Sequence, residues 1–295
     1  MTTTPRHDLN RALARLRERV HGPPTLRAWL EVCALARRAG PLGLEYASQH
    51  LTTWPSPWDT VPEGARLPNA ELRGAELHQI NLTRASLTRA DLSLAQLTRA
   101  TLAHAELSRA DLSHAQLHHA NLRNADLRGA NLTGATLLSA DLSHARLSGP
   151  QTRLNRADLT GATLFSASLH RARLVGATLA QSDLRRATLV MTDLDQTDLT
   201  GARLEEASLR AAYLHRTCLR DADLREANLA AANIDSADLR GADLTGARMT
   251  SCSLYRCDLR GARINGVRLD SLRFDAQTRW PDGFNPSGYG AVQIG

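Results

Sequence analysis

The chain has no lysine: all 36 of its basic residues are arginine, and its aromatic content is only 4% over 295 residues. So few large rings exclude a conventional interlocking core and favour a uniform, layered one. No stretch approaches 18 consecutive apolar residues, and "MTTTPRHDLN" has no apolar leader segment, so neither membrane spanning nor secretion is expected. The expectation is a soluble, cytoplasmic protein. Cys33, Cys218, Cys252 and Cys257 lack CxxC or finger spacing, which argues against structural zinc and a disulfide framework. There is no phosphate loop or dinucleotide fingerprint, and no cofactor is expected. Ser, His and Asp recur throughout, but in a repetitive chain such pairings arise without a pocket, so no catalytic residue is assigned.

What is present is a five-residue period. "RADLSLAQLTRATLAHAELSRADL" places Leu92, Leu97, Leu102, Leu107 and Leu112 at fixed spacing, each two residues after an alanine. Neither a helix nor a simple strand repeats every five residues. The register runs from Leu67 to Leu147 (17 units), slips by two residues around Gly149, Pro150 and Gln151, and resumes from Leu154 to Phe274 (25 units). A small residue and a leucine two apart share one face of an extended segment. The two remaining residues, mostly Ser, Thr, Arg, Gly, His or Asn, can turn a corner. The chain is therefore expected to wind as a coil with an apolar interior, successive coils stacking about 4.8 Å apart. Leu92, Leu112 and Leu132, and beyond the slip Leu199, Leu219, Leu239 and Leu259, are the expected core ladder. Buried leucines contribute roughly 1.5 to 3 kcal/mol each, so the tower should be stable.

The units "ADLSL", "ANLRN", "ADLRG", "ANLTG" and "ADLTG" resemble the A(D/N)LXX signature of the pentapeptide-repeat family. That resemblance implies a right-handed quadrilateral β-helix with four units per coil, here about ten coils. It also brings the family's best-described activity, protection or inhibition of type II topoisomerases by acidic towers that imitate the DNA duplex.

Solenoid ends need covers. Residues 1–64 read as an α-helical cap and linker: Asp8 can cap a helix carrying Leu9, Leu13, Leu16 and Val20, and Thr25 one carrying Leu26, Trp29, Leu30 and Cys33. Trp54 and Trp58 follow in a Pro-containing linker. Residues 65–274 form the repeat domain, and 275–295 a capping tail with Trp280 and Phe284.

With four units per coil, residues 20 apart stack. Arg89 and Arg109 align, Arg128 lies one residue off that line, and Arg66 and Arg146 flank them. On the next face Glu71, Asp91 and Asp111 make a carboxylate column continued by Asn131. Arg220, Arg240 and Arg260 fall beside Asp198, Asp238 and Asp258, an arrangement expected to neutralise itself. Of the net charge of +6, the repeats hold +5 (27 Arg against 22 Asp and Glu). His114, His118 and His119 form the densest imidazole group and are read as exposed turn residues rather than metal ligands. Cys218 faces outward, while Cys252 and Cys257 take inward positions.

These features favour a non-enzymatic binding or scaffold protein with a protein partner and no membrane association, its state left open between monomer and homodimer. A topoisomerase partner ranks second, since this tower is net positive where the DNA mimics are acidic. Direct nucleic-acid binding through the arginine stripe ranks third, because stacking aromatics and a recognition helix are lacking.

Overall fold

The computed structural model describes residues 63–294. The helices expected before residue 63 lie outside the described residues. Residue pairing fixes the architecture. Arg66 bridges Ser86, Glu71 bridges Asp91, Glu76 bridges Gln96 and Asn81 bridges Thr101, all in parallel, and each column repeats every 20 residues. Four units therefore close one coil, giving a four-sided parallel β-helix. We call the sides A, B, C and D, after the columns that begin at residues 66, 71, 76 and 81.

The sides are shorter than the extended segment expected to run from each small residue to the leucine two positions on. Most contribute a single bridging residue, because the turn hydrogen bond from Ala70 N to Leu67 O (3.2 Å) closes immediately after each leucine. Two-residue strands appear only near the end: β1 (Ser253–Leu254), β2 (Arg273–Phe274) and β3 (Val292–Gln293), paired in parallel in that order.

Backbone accounting explains the signature. Leu92 N bonds Asp111 O in the coil above (2.7 Å), Leu94 N bonds Ser113 O (2.9 Å), Ala95 N bonds Leu92 O (3.1 Å), and Asp91 N bonds Ala70 O in the coil below (2.9 Å). That leaves one N–H of five, on the residue after leucine. In the A(D/N)L units the Asp or Asn side chain takes it: Asp91 Oδ1 accepts from Ser93 N (3.0 Å) and Ser93 Oγ (2.6 Å), and the same contact recurs at Asp141, Asp158 and Asp243. These are Asx turns that satisfy the last backbone donor of the unit.

The second turn residue takes positive φ in nearly every unit, and many of these positions are not glycine: Arg89 (58°), Leu94 (61°), Ala211 (54°) and Ala231 (60°) are examples. An L residue pays about 1–2 kcal/mol there, more than glycine's extra backbone entropy. Ala211→Gly is accordingly expected to raise stability by about 0.5–1 kcal/mol in a denaturation experiment. A loss of stability would show that the turn imposes no such strain.

The inward positions are buried throughout. Leu92, Leu112, Leu132, Leu199, Leu219, Leu239 and Leu259 are each 0–1% exposed. They do not form one column, however. The slip adds two residues, so column B passes from Leu132 to Leu154, whereas Leu199, Leu219, Leu239 and Leu259 follow the bridging residues of column C. Ser182, Thr192, Thr197 and Thr217 substitute for alanine, with hydroxyls donating to leucine carbonyls such as Leu169 O (2.8 Å from Thr192).

After the last repeat the tail keeps pairing. Asp258 bridges Arg279 and β3 adds to β2. Phe274, Trp280, Phe284 and Tyr289 pack in succession, the first pair edge-to-face and the next two tilted, with ring centroids 5.5, 5.4 and 5.0 Å apart. A 3-10 turn, Pro286–Tyr289, connects them to β3, with Asn285 capping its start. Among the described residues no helix is long and apolar enough to cross a membrane.

Candidate functional site

The interior is occupied by Ala and Leu, so any site lies on the outward bridging residues and the turn residues at the four corners. The corner between sides A and B holds a shallow groove of about 480 Å³, lined by Pro68, Asn69, Thr88, Arg89, Ser108, Arg109 and Arg128. Arg89 and Arg109 stack one coil apart at the second turn position, both exposed. Neither makes an ion pair with any described residue.

Arg128, the third member of the stripe, behaves differently. It occupies the first turn position, two residues after Asp126, and grips that carboxylate bidentately (Nε–Oδ1 2.8 Å, Nη2–Oδ2 2.5 Å). This contact holds the Asp126 carboxyl below the usual carboxylate range, against the effect of its partial burial. The same Asp-Leu-Arg geometry neutralises Arg185 on Asp183, Arg225 on Asp223, Arg240 on Asp238 and Arg260 on Asp258. The Arg240 contact depresses the Asp238 carboxyl most strongly, with Arg220 adding a second hydrogen bond from the coil below (3.0 Å). Position within the five-residue unit thus decides whether an arginine can reach the Asp of its own unit. At the first turn position after Asp-Leu the fork folds back, while Arg89 and Arg109, one residue later, point away.

The carboxylate column forms as a column: Glu71 bridges Asp91, Asp91 bridges Asp111, and Asp111 bridges Asn131. Its members have internal work. Asp91 closes the turn at Ser93. Asp111 accepts from Ser113 N (2.9 Å) and from Asn131 Nδ2 (3.1 Å).

A second charged ladder lies at the corner between sides D and A. Phe165, Arg185, Glu205 and Arg225 stack at the first turn position and Arg186, Glu206 and Glu226 at the second, around a groove of about 460 Å³. Glu205 Oε1 accepts from Arg225 (3.0 Å) and Arg203 (3.3 Å), and Arg186 pairs with Glu206 (3.0 Å). The Arg185 guanidinium lies 5.7 Å from the Phe165 ring centre. All seven residues follow the slip, so reading every twentieth residue from Phe165 brings them together.

His114 stands at a different corner from His118 and His119. Its ring covers Gly134, where an added Cβ would lie 2.6 Å from it, and His118 Nε2 contacts Thr136 Oγ1 (3.3 Å). Among the described residues no group of three His, Cys, Asp or Glu side chains could hold a metal. Cys252 and Cys257 point inward, their thiols donating to Leu229 O and Ile234 O, and burial pushes both up to about 12. Cys218 lies outward beside Thr200 Oγ1 (3.2 Å). In a Cys33→Ser background, a thiol reagent on the native protein is expected to modify Cys218 alone, and Cys218→Ser to abolish labelling. Reaction of Cys252 or Cys257 at a comparable rate would mean that the coils open.

The repeat geometry coincides with a family model: the model for pentapeptide repeats matches residues 63–149 and 151–266, breaking at the slip. The chain belongs to the pentapeptide-repeat family. Among solved pentapeptide-repeat structures it is similar to HetL, a protein involved in heterocyst differentiation regulation in the cyanobacterium Nostoc sp. strain PCC 7120. The two are 36% identical over 72% of this chain and 92% of HetL, with a TM-score of 0.56. A pentapeptide repeat protein from the same cyanobacterium, alr5209, is 29% identical over 38% of this chain and 84% of its own, with a TM-score of 0.20. QnrB1, a plasmid-mediated fluoroquinolone resistance protein, is 17% identical over 65% of this chain and 88% of its own, with a TM-score of 0.38. No curated protein matches significantly.

Proposed function

We propose that this pentapeptide-repeat protein is a non-enzymatic interaction scaffold, a right-handed tower whose exposed corners dock a protein partner. The hand is the one parallel crossover connections overwhelmingly adopt. The observation that carries the reading is the division of labour within each unit. Inward positions are committed to the core, whereas the corners vary from coil to coil and hold two grooves of distinct charge. The likeness to HetL, a protein involved in heterocyst differentiation regulation, supports the same reading. In it, residues 275–295 and the helices expected before residue 65 close the ends of the tower.

A photo-crosslinking residue at one exposed position per corner (Arg89, Leu94, Gln181 and Glu226) tests this in cells. One discrete protein adduct confined to one or two neighbouring corners is expected. Absence of any discrete adduct at all four corners would sink the scaffold reading. A topoisomerase partner is the second reading, favoured by the contiguous Glu71–Asp91–Asp111 column. It requires inhibition or drug protection in a gyrase supercoiling assay that charge reversal of those three residues abolishes.

A further inference from the structure

The arginine stripe differs from every other charged ladder described above in what it leaves unused. Along sides C and D, Arg185, Arg225, Arg240 and Arg260 are each held by a carboxylate two residues earlier in the same unit. Arg89 and Arg109 have no such carboxylate: their units read "ASLTR" and "AELSR", and Glu106, two residues before Ser108, is not paired with Arg109. Two like charges one coil apart, roughly 4.8 Å in backbone spacing, repel unless an anion lies between them. Thr88 and Ser108 place hydroxyl donors beside them, and Arg128 closes one end with its fork already committed to Asp126.

We propose that the groove between sides A and B binds an acidic segment of a partner protein, a partner carboxylate sitting between the Arg89 and Arg109 guanidiniums. This inference rests on the scaffold reading and names the chemistry of its partner. The flanks select the occupant. Glu106 and Asp126 stand on side A, and Glu71, Asp91 and Asp111 on side B, so the positive edge is a narrow strip between carboxylates. A nucleic-acid duplex, whose binding normally draws on many phosphate contacts, overlaps both acidic flanks. A single extended chain with one or two carboxylates fits between them, and a planar guanidinium fork suits a carboxylate.

The test uses the full chain and fluorescein-labelled hexaglutamate as probe, read by fluorescence anisotropy at low and physiological salt. Expected are saturable binding, at least a tenfold loss of affinity in Arg89→Ser/Arg109→Ser, and less than a twofold change in Arg240→Ser/Arg260→Ser, whose arginines are paired. Arg89, Arg109 and Arg260 are exposed and Arg240 is half-buried, all on turns, and circular dichroism checks that both double variants stay folded. No saturable binding, or equal losses in the two variants, overturns the proposal. So does tighter binding of an unrelated DNA duplex that depends on the same two arginines. The crosslinking experiment does not involve the probe, so a protein adduct at other corners together with a silent peptide titration would reject this inference and leave the scaffold standing.

Discussion

Replacing Leu112 with alanine is expected to cost about 2–5 kcal/mol, the range for truncating a fully buried leucine whose surroundings cannot collapse. Leu112 is 0% exposed, and the coils above and below are pinned by ladder bonds from Leu112 N to Asn131 O (2.7 Å) and from Asp111 N to Ala90 O (2.9 Å), so the backbone cannot close the cavity. The damage should be local, because in a solenoid each coil touches only its neighbours. Hydrogen exchange should therefore show lost protection in the coils next to Leu112 and little change near Leu239. Leu132 lies one coil above in the same column, and the pair Leu112→Ala and Leu132→Ala should deviate from additivity. Leu112→Ala and Leu239→Ala should add within about 0.5 kcal/mol. A cost below 1 kcal/mol, or uniform loss of protection along the tower, would contradict a stacked core with nearest-neighbour coupling.

The same separability explains what could be read from the sequence. Burial repeats every five residues, so the coil, its apolar lining and the slip follow from the spacing of Leu67 to Leu147 and Leu154 to Phe274. The likeness to the family supplied the four sides, and the 20-residue bridges agree with them. Charge is harder to read. Arg109 and Arg128 belong to the same stripe on a column map, yet one is unpaired and the other is clamped, because a shift of one turn position decides whether the guanidinium can fold back onto an Asp two residues earlier. The Asp and Asn of the signature look like a surface column when listed every 20 residues. In the structure many of them close turns, a role set by which backbone N–H the coil leaves over. The Glu205 ladder recurs every 20 residues after the slip, but a column count does not show which arginine each carboxylate takes: Glu205 accepts from both Arg225 and Arg203.

The slip provides the second large effect. Elsewhere on the corner between sides A and B, the second turn residue donates directly to the carbonyl of the first turn residue one coil above, as Arg89 N does to Ser108 O (3.0 Å) and Arg109 N to Arg128 O (2.9 Å). By that rule Gly129 N belongs on Ser148 O. With Pro150 and Gln151 inserted, the buried Thr152 hydroxyl stands between them instead, accepting from Gly129 N (2.8 Å) and donating to Ser148 O (3.1 Å). Thr152 occupies an inward position where alanine is the usual residue, so Thr152→Ala fits sterically and removes only this relay. Leaving Gly129 N–H without its partner should cost about 1–3 kcal/mol. The comparable change Thr192→Ala, whose hydroxyl only adds a second bond to the already bonded Leu169 O, should cost about 0.5–1.5 kcal/mol. Deleting Pro150 and Gln151 restores the five-residue spacing, leaving Gly149, already at positive φ, as the second turn residue before Thr152. Gly129 N can then reach Ser148 O directly, and Thr152→Ala in that background should fall below about 0.5 kcal/mol, a strong coupling in a double-mutant cycle. If Thr152→Ala costs the same with and without the insertion, the hydroxyl is not the bridge across the slip, and the two coils are held in register by their leucines alone.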